Sequence, residues 1–292
     1  MVAGSEVSTI LDWAQQAGMM TGLVSTARVS TEKCSRTDLH FDFVHQVTHA
    51  TPAALYAKTA HRDWECDTVT PPGARDIAHQ LVETDRGRNI DVVLGGGRAS
   101  FTPASQTRKE DLEEFNCSRR DNIDMVARWK SHHPRGTFVN SKSDLLRVDP
   151  GQSDSLLGLF SWSHLPYDDE LSFQDDVPSL LNMTSAALHF LLTRSADRGF
   201  FLMVEGGRID HANHYAFARR ALSETVAMDR AVEEILRRVK LEDTLVIVTA
   251  DHSHTLAISG YPGRTADITG IVRGDNGWVM KAEDNQPMSI LR

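Results

Sequence analysis

Residues 200–214 read FFLMVEGGRIDHANH, and residues 245–254 read LVIVTADHSH. Each stretch opens as a short, continuous apolar run and ends abruptly in carboxylates and imidazoles. A run that is apolar at every position suits a strand covered on both faces, which is the signature of a parallel sheet rather than a half-wet antiparallel one. Between the two runs lies Tyr215–Lys240, which reads as one long helix. Upstream the same alternation recurs. Ser8–Ala17 carries a Ser/Thr cap, helical spacing and a glycine stop, and Gly22–Val24 follows as a strand. Ala74–Glu83 is helical, and Ile90–Leu94 is a strand closed by Gly95, Gly96 and Gly97. Asn122–Lys130 reads as a helix, Thr137–Val139 as a weak strand, and Ser179–Thr193 as a strong helix that leads into Phe200–Val204. Helices alternating with such strands predict an α/β fold, a three-layer sandwich with a large, mostly parallel central sheet and helices on both faces.

No repeat, low-complexity tract or linker divides the chain, so residues 1–292 read as a single domain. Gln106–Glu114 and Ser161–Asp176 are expected to be long surface excursions. Residues 30–46 (STEKCSRTDLHFDFVHQ) follow neither period and read as an inserted loop. The 31 Lys+Arg against 40 Asp+Glu give a net charge of −9, which excludes a protein built to grip nucleic acid through a basic face. Three cysteines form neither a disulfide framework nor a CxxC metal knuckle. No apolar run reaches the ~18 residues of a membrane span, and the first residues lack the basic head and apolar stretch of a signal peptide.

Open parallel sheets place ligands beyond the carboxyl ends of their strands. Here those ends supply carboxylate and imidazole together, a donor mixture that suits the borderline zinc ion. Asp210 and His214 are four apart at a helix start and can face one way. Asp251 and His252 are adjacent, so they can act together only from an irregular loop. Gly206 and Gly207 let backbone pass close to an ion. An alternative for Asp210 is an ordinary helix cap. His211 and His254 are spare imidazoles. Gly95–Gly97 could cradle a phosphate, but no GxGxxG spacing follows, and a plain turn is the better reading. His79, His132 and His133 read as surface or helix-face residues.

Four motifs, VEGGRIDHANH, VTADHSHT, THATPAALYAKTAHRDW and LGGGR, together resemble the animal-type alkaline phosphatases, with similarity running from about residue 5 to 290. The resemblance implies the alkaline phosphatase fold. It also implies hydrolysis of small phosphate monoesters through a phosphoserine intermediate, with two zinc ions and one magnesium ion as cofactors. Carried over position by position, it makes Asp210 and His214 ligands of the first zinc, and Asp251 and His252 ligands of the second. Thr51 and Glu205 become magnesium ligands, His49 stands near the magnesium's water shell, and Arg62 is the phosphate clamp. His211, His254 and the triple glycine become structural or supporting residues. Family members are homodimers, extracellular and lipid-anchored to the cell surface; neither a signal peptide nor an anchor signal is read in these residues.

The chain also departs from the pattern. It contains no Asp-Ser-Ala triplet, which holds the family's nucleophile, and no H-x-G-E-D-V stretch, which holds the last zinc histidine. An upstream aspartate that bridges zinc and magnesium is missing as well. Phe160-Ser161 stands where the family carries a glutamate of an additional calcium site. The expectation is an alkaline phosphatase-like domain incomplete at both ends and inactive by itself. The alternatives are a non-catalytic metal- or phosphate-binding remnant, or a gene-model fragment. A nucleotide-dependent enzyme built on Gly95–Gly97 fails on spacing.

Overall fold

The computed structural model describes residues 8–29, 51–57, 75–109, 119, 121–174, 176–255, 257, 267 and 269–271. The expected loop at 30–46, together with His49 and Arg62, lies outside the described residues.

Helix α1 (Ile10–Gln16) starts at Thr9, whose hydroxyl accepts from the Asp12 amide while the Asp12 carboxylate accepts from the Thr9 amide. This reciprocal box satisfies two otherwise orphaned donors. Strand β1 (Met20–Arg28) follows with every residue buried. Helix α2 (Ile77–Glu83) is capped by Asp76, and the four-residue α3 (Asp85–Arg88) leads to β2 (Val92–Gly96). Then come α4 (Met125–His132), β3 (Thr137–Val139), α5 (Lys142–Leu145) and β4 (Leu156–Leu159). Helix α6 (Leu180–Arg194) opens on a second capping box between Ser179 and Asn182, and β5 (Phe200–Glu205) follows. Helices α7 (Arg208–His214) and α8 (Ala218–Arg238) complete the elements.

The strands form one sheet in the order β3-β4-β2-β1-β5, parallel at every pairing. Side chains alternate across the strands, so two cores result. Leu23, Val93 and Leu157 pack beneath α1, α2 and α4 through Leu11, Leu81 and Trp129. Val24, Val92 and Leu156 pack on the opposite face against Met183 and Leu191 of α6 and Ala231 of α8. The expected three-layer α/β arrangement is therefore present.

Three expectations need correction. Thr244–Thr249 is not a strand. It joins no strand ladder among the described residues, Leu245 is 84% and Ile247 71% exposed, and the segment runs past the outer edge of β5 across a cleft of about 770 Å³. The apolar pattern favours a strand, but a strand also needs a neighbour within ladder distance, and periodicity carries no information about that. The long helix expected over Tyr215–Lys240 is present as α8, Ala218–Arg238, and begins three residues late because Ala216 takes a left-handed φ of 55°. Ser161–Asp176 is not all surface, since Trp162, Leu165 and Tyr167 are buried. Finally, β4 was absent from the sequence reading, although SLLGLF at 155–160 is a short apolar run of the same kind.

The triple glycine has a packing role. A Cβ on Gly96 would lie 2.3 Å from the Ser163 carbonyl oxygen, and Gly97, at a φ of 94°, donates its N–H to that same oxygen at 2.7 Å. The loop after β4 thus lies directly on the β2 terminus, as a turn rather than a phosphate cradle.

Candidate metal centre

The pairing register of β1 with β5 places Ser25 opposite Glu205 at the carboxyl end of the sheet. Glu205 Oε2 accepts from the Ser25 hydroxyl at 3.2 Å and from the Thr51 amide at 3.2 Å, and the Thr51 hydroxyl makes a short bond to the same oxygen. Ser25 and Thr51 are buried. Thr51 caps the one-turn helix Pro52–Tyr56, which holds it over the strand end. One carboxylate and two hydroxyls concentrated at one point form a hard oxygen donor set, the kind that suits magnesium.

One turn further on, α7 carries Asp210 and His214 on one side, with His214 Nε2 at 3.4 Å from Asp210 Oδ1. From across the cleft, His252 Nε2 lies 3.6 Å from the same Asp210 oxygen and 3.5 Å from Asp251 Oδ2. The ring of His254 stands perpendicular to that of His214, with centroids 4.7 Å apart, and ligand atoms of Asp210, His214 and His254 all lie within 4.8 Å of one another. The Ser253 carbonyl, aided by Asp251 and Asp210, holds the His252 imidazolium above its usual pKa against the opposing effect of burial.

Asp210 Oδ1 supplies the test of whether a cation fits. It is a buried oxygen without a hydrogen-bond partner, which is costly unless something positive meets it. Its separations from His214 and His252 are too long for good hydrogen bonds. The 3.4 Å separation from His214 does match the edge of a tetrahedron whose metal–ligand bonds are about 2.0–2.1 Å, which is about 3.4 Å. The residues fit a zinc-like ion.

The structure therefore brings together Thr51 with Glu205, and Asp210 with His214, Asp251 and His252. Sequence reasoning missed Ser25 and read His254 only as a supporting residue. Ser25 sits inside the buried strand and is revealed only by the pairing register. His254 had been set aside as spare, yet the HxH spacing after Asp251 was a readable hint that two imidazoles could leave one loop together. Phe160-Ser161 offers no carboxylate for a calcium ion.

The family model for alkaline phosphatase matches residues 43–287. The human tissue-nonspecific isozyme of alkaline phosphatase is 41% identical over 278 residues, which is 92% of this chain and 49% of that protein. The membrane-bound alkaline phosphatase of Bombyx mori is 37% identical over 277 residues, covering 91% of this chain and 46% of that protein. Among solved structures, the Thermus thermophilus alkaline phosphatase superposes with a TM-score of 0.59 at 30% identity, covering 80% of this chain and 39% of that one. The cold-active Shewanella sp. alkaline phosphatase gives 0.62 at 27% identity, covering 90% and 51%. The chain spans about half the length of the curated relatives it matches.

Proposed function

Because this chain belongs to the alkaline phosphatase family, we propose that it carries the metal-binding half of a phosphomonoesterase centre. The observation that carries this reading is the meeting of Asp210, His214 and His252 around one unsatisfied carboxylate oxygen, a strand's end away from the Thr51–Glu205 pair. Asp210 and His214 would hold one zinc, Asp251 and His252 a second, and Thr51 and Glu205 a magnesium ion, with His49 near its water shell. When bound, such ions supply Lewis-acid stabilisation of phosphoryl oxygens and lower the pKa of bound hydroxyl groups.

The chain's own residues have separate tasks. The β1–β5 register sets Glu205 in place, and the Ser25 and Thr51 hydroxyls orient its carboxylate. Arg62 would grip two phosphate oxygens with its planar fork, which a lysine could not do as well. The family reaction passes through a phosphoserine, and the 292 residues hold no Asp-Ser-Ala triplet to provide it. The 292-residue polypeptide is therefore expected to bind metal and phosphate without turnover, and a non-catalytic binding role is the second reading.

The substrates in this reading are small phosphate monoesters, the assembly is the family's homodimer, and the site of action is the outer cell surface, in keeping with the membrane-bound relative. Among the described residues, no helix is long and apolar enough to cross a membrane. The test is titration of the 292-residue protein with zinc, followed by p-nitrophenyl phosphate turnover with zinc and magnesium added. Zinc binding without turnover is the expected result. Turnover at the rate of a complete family member overturns the inactive assignment, and failure to bind zinc overturns the metal assignment.

A further inference from the structure

Tyr167 sits where α7 meets the rest of the fold. It is buried and packs on Ala212 of α7 and Ala221 of α8. The Arg208 guanidinium lies 3.7 Å from the centre of its ring and that of Arg220 4.6 Å. Arg208 opens α7 and stands two residues before Asp210. Its backbone N–H donates to Thr26 Oγ1 at 3.1 Å, which ties the helix start to β1. One residue after Asp210, the ring of His211 lies against that of His164, with centroids 4.1 Å apart.

Both flanks of Asp210 are therefore held by one loop. That loop is itself anchored, because Gly97 donates to the Ser163 carbonyl, Leu165 donates to the Thr26 carbonyl, and Asp168 donates to the Glu224 carboxylate. A seven-residue helix is too short to hold its own orientation in water. Its rotation must be set from outside, and a desolvated cation–π stack is among the stronger ways to do so.

We propose that Tyr167 is a positioning residue for the metal centre, fixing the rotation of α7 through Arg208 so that Asp210 and His214 point at a common ion. This rests on the metal-centre reading of those two residues. Metal sites tolerate ligand displacements of only about 0.2 Å, so a small helix rotation is enough to weaken binding.

The test compares the parent 292-residue protein with Tyr167→Leu, which keeps apolar bulk but removes the ring, and Tyr167→Phe, which keeps the ring. Zinc affinity is read by competition with a chromophoric chelator, coordination geometry by the visible absorption of the cobalt-loaded protein, and folding by thermal unfolding. Phe101→Leu, in the core on the opposite face of the sheet, controls for general destabilisation. Tyr167→Leu is expected to weaken zinc about tenfold or more and to alter the cobalt bands, as loss of an outer supporting contact commonly does. Tyr167→Phe and Phe101→Leu are expected to leave both readouts at parent values. Parent-like affinity and spectrum in a folded Tyr167→Leu overturns the proposal. If that variant does not fold, Arg208→Lys keeps the charge without the planar stack, and parent-like behaviour there overturns it equally. If the parent binds no zinc at all, the metal-centre reading fails first and this proposal falls with it.

Discussion

Arg119 and Asp76 meet fork to fork in the interior: Nη1 and Nη2 lie 2.9 and 3.0 Å from the two carboxylate oxygens, and the arginine side chain is fully buried. Asp76 also caps α2 through the His79 amide at 2.9 Å, while Arg119 reaches the Ser100 carbonyl and Asp121. The pair thus ties the start of α2 to the turn after β2 and to the chain around residue 119.

Removing Asp76 takes two charge-assisted hydrogen bonds from the buried Arg119 and leaves it Asp121 as carboxylate partner. Asp76→Ala is therefore expected to destabilise the protein by about 3 kcal/mol, the low end for a broken buried pair, of which about 1 kcal/mol is the lost cap. The shift of the urea midpoint measures it. The double variant Asp76→Leu with Arg119→Met is expected to recover most of the loss, and a double variant as weak as the single one contradicts the account.

Glu224 predicts an inverted pH response. Burial is the leading cause that pushes its carboxyl from the ordinary 4.5 up to about 7, and its side chain is nearly inaccessible. Because the folded state prefers the protonated form, the associated stability is full below pH 4.5 and is lost as pH rises through 7. At about 1.4 kcal/mol per unit, the parent loses about 3 kcal/mol relative to Glu224→Gln across that window. Thermal melts of both proteins between pH 4.5 and 7.5 check this, and parallel curves refute it.

Asp210 and His254 separate ligand from neighbour. Asp210→Asn is expected to lower zinc affinity at least about tenfold, because the oxygen shared by two imidazoles loses its charge. His254→Ala is expected to cost less than His252→Ala, because His252 already lies 3.6 Å from that oxygen. Chelator competition on the three variants gives the order, and a reversed order makes His254 the ligand.

Residues 245–250 test the corrected strand. Their backbone joins no ladder among the described residues while β1 is bonded on both sides, so their amides should exchange in seconds and those of Leu23 and Val24 far more slowly. Hydrogen exchange read by mass spectrometry checks the contrast. Slow exchange at Val246–Val248 would place the segment back in the sheet.

Much of this was legible in the linear sequence, for definite reasons. The strands beginning at Phe200 and ending at Gly96 announce themselves because buried parallel strands are apolar at every position. The cluster after Val204 is legible because it packs ligand chemistry into ten residues. Ser25 was hidden, since nothing in VSTAR marks one hydroxyl as facing a carboxylate until the register is known. Tyr167 was hidden for a similar reason: its stack with Arg208 joins positions far apart in the chain. Leu245–Thr249 failed in the other direction, because apolar pattern records what a strand is made of and not whether an edge is waiting for it. The late start of α8 was unreadable, because alanine ordinarily continues a helix, whereas Ala216 holds a φ of 55° beside the hydrogen bond from Phe217 N–H to the Ala212 carbonyl.

Ser25 and Glu205 stand side by side in the finished sheet, yet 180 residues separate them along the chain. During synthesis at about 5–20 residues per second, β1 leaves the ribosome roughly 10–40 s before its β5 neighbour exists. Throughout that interval the longest fully buried strand has one flank open, and no local turn can close it. The order in which the ribosome delivers these strands therefore keeps that flank exposed until β5 emerges, and the hydroxyl–carboxylate contact at the sheet's end cannot form before then.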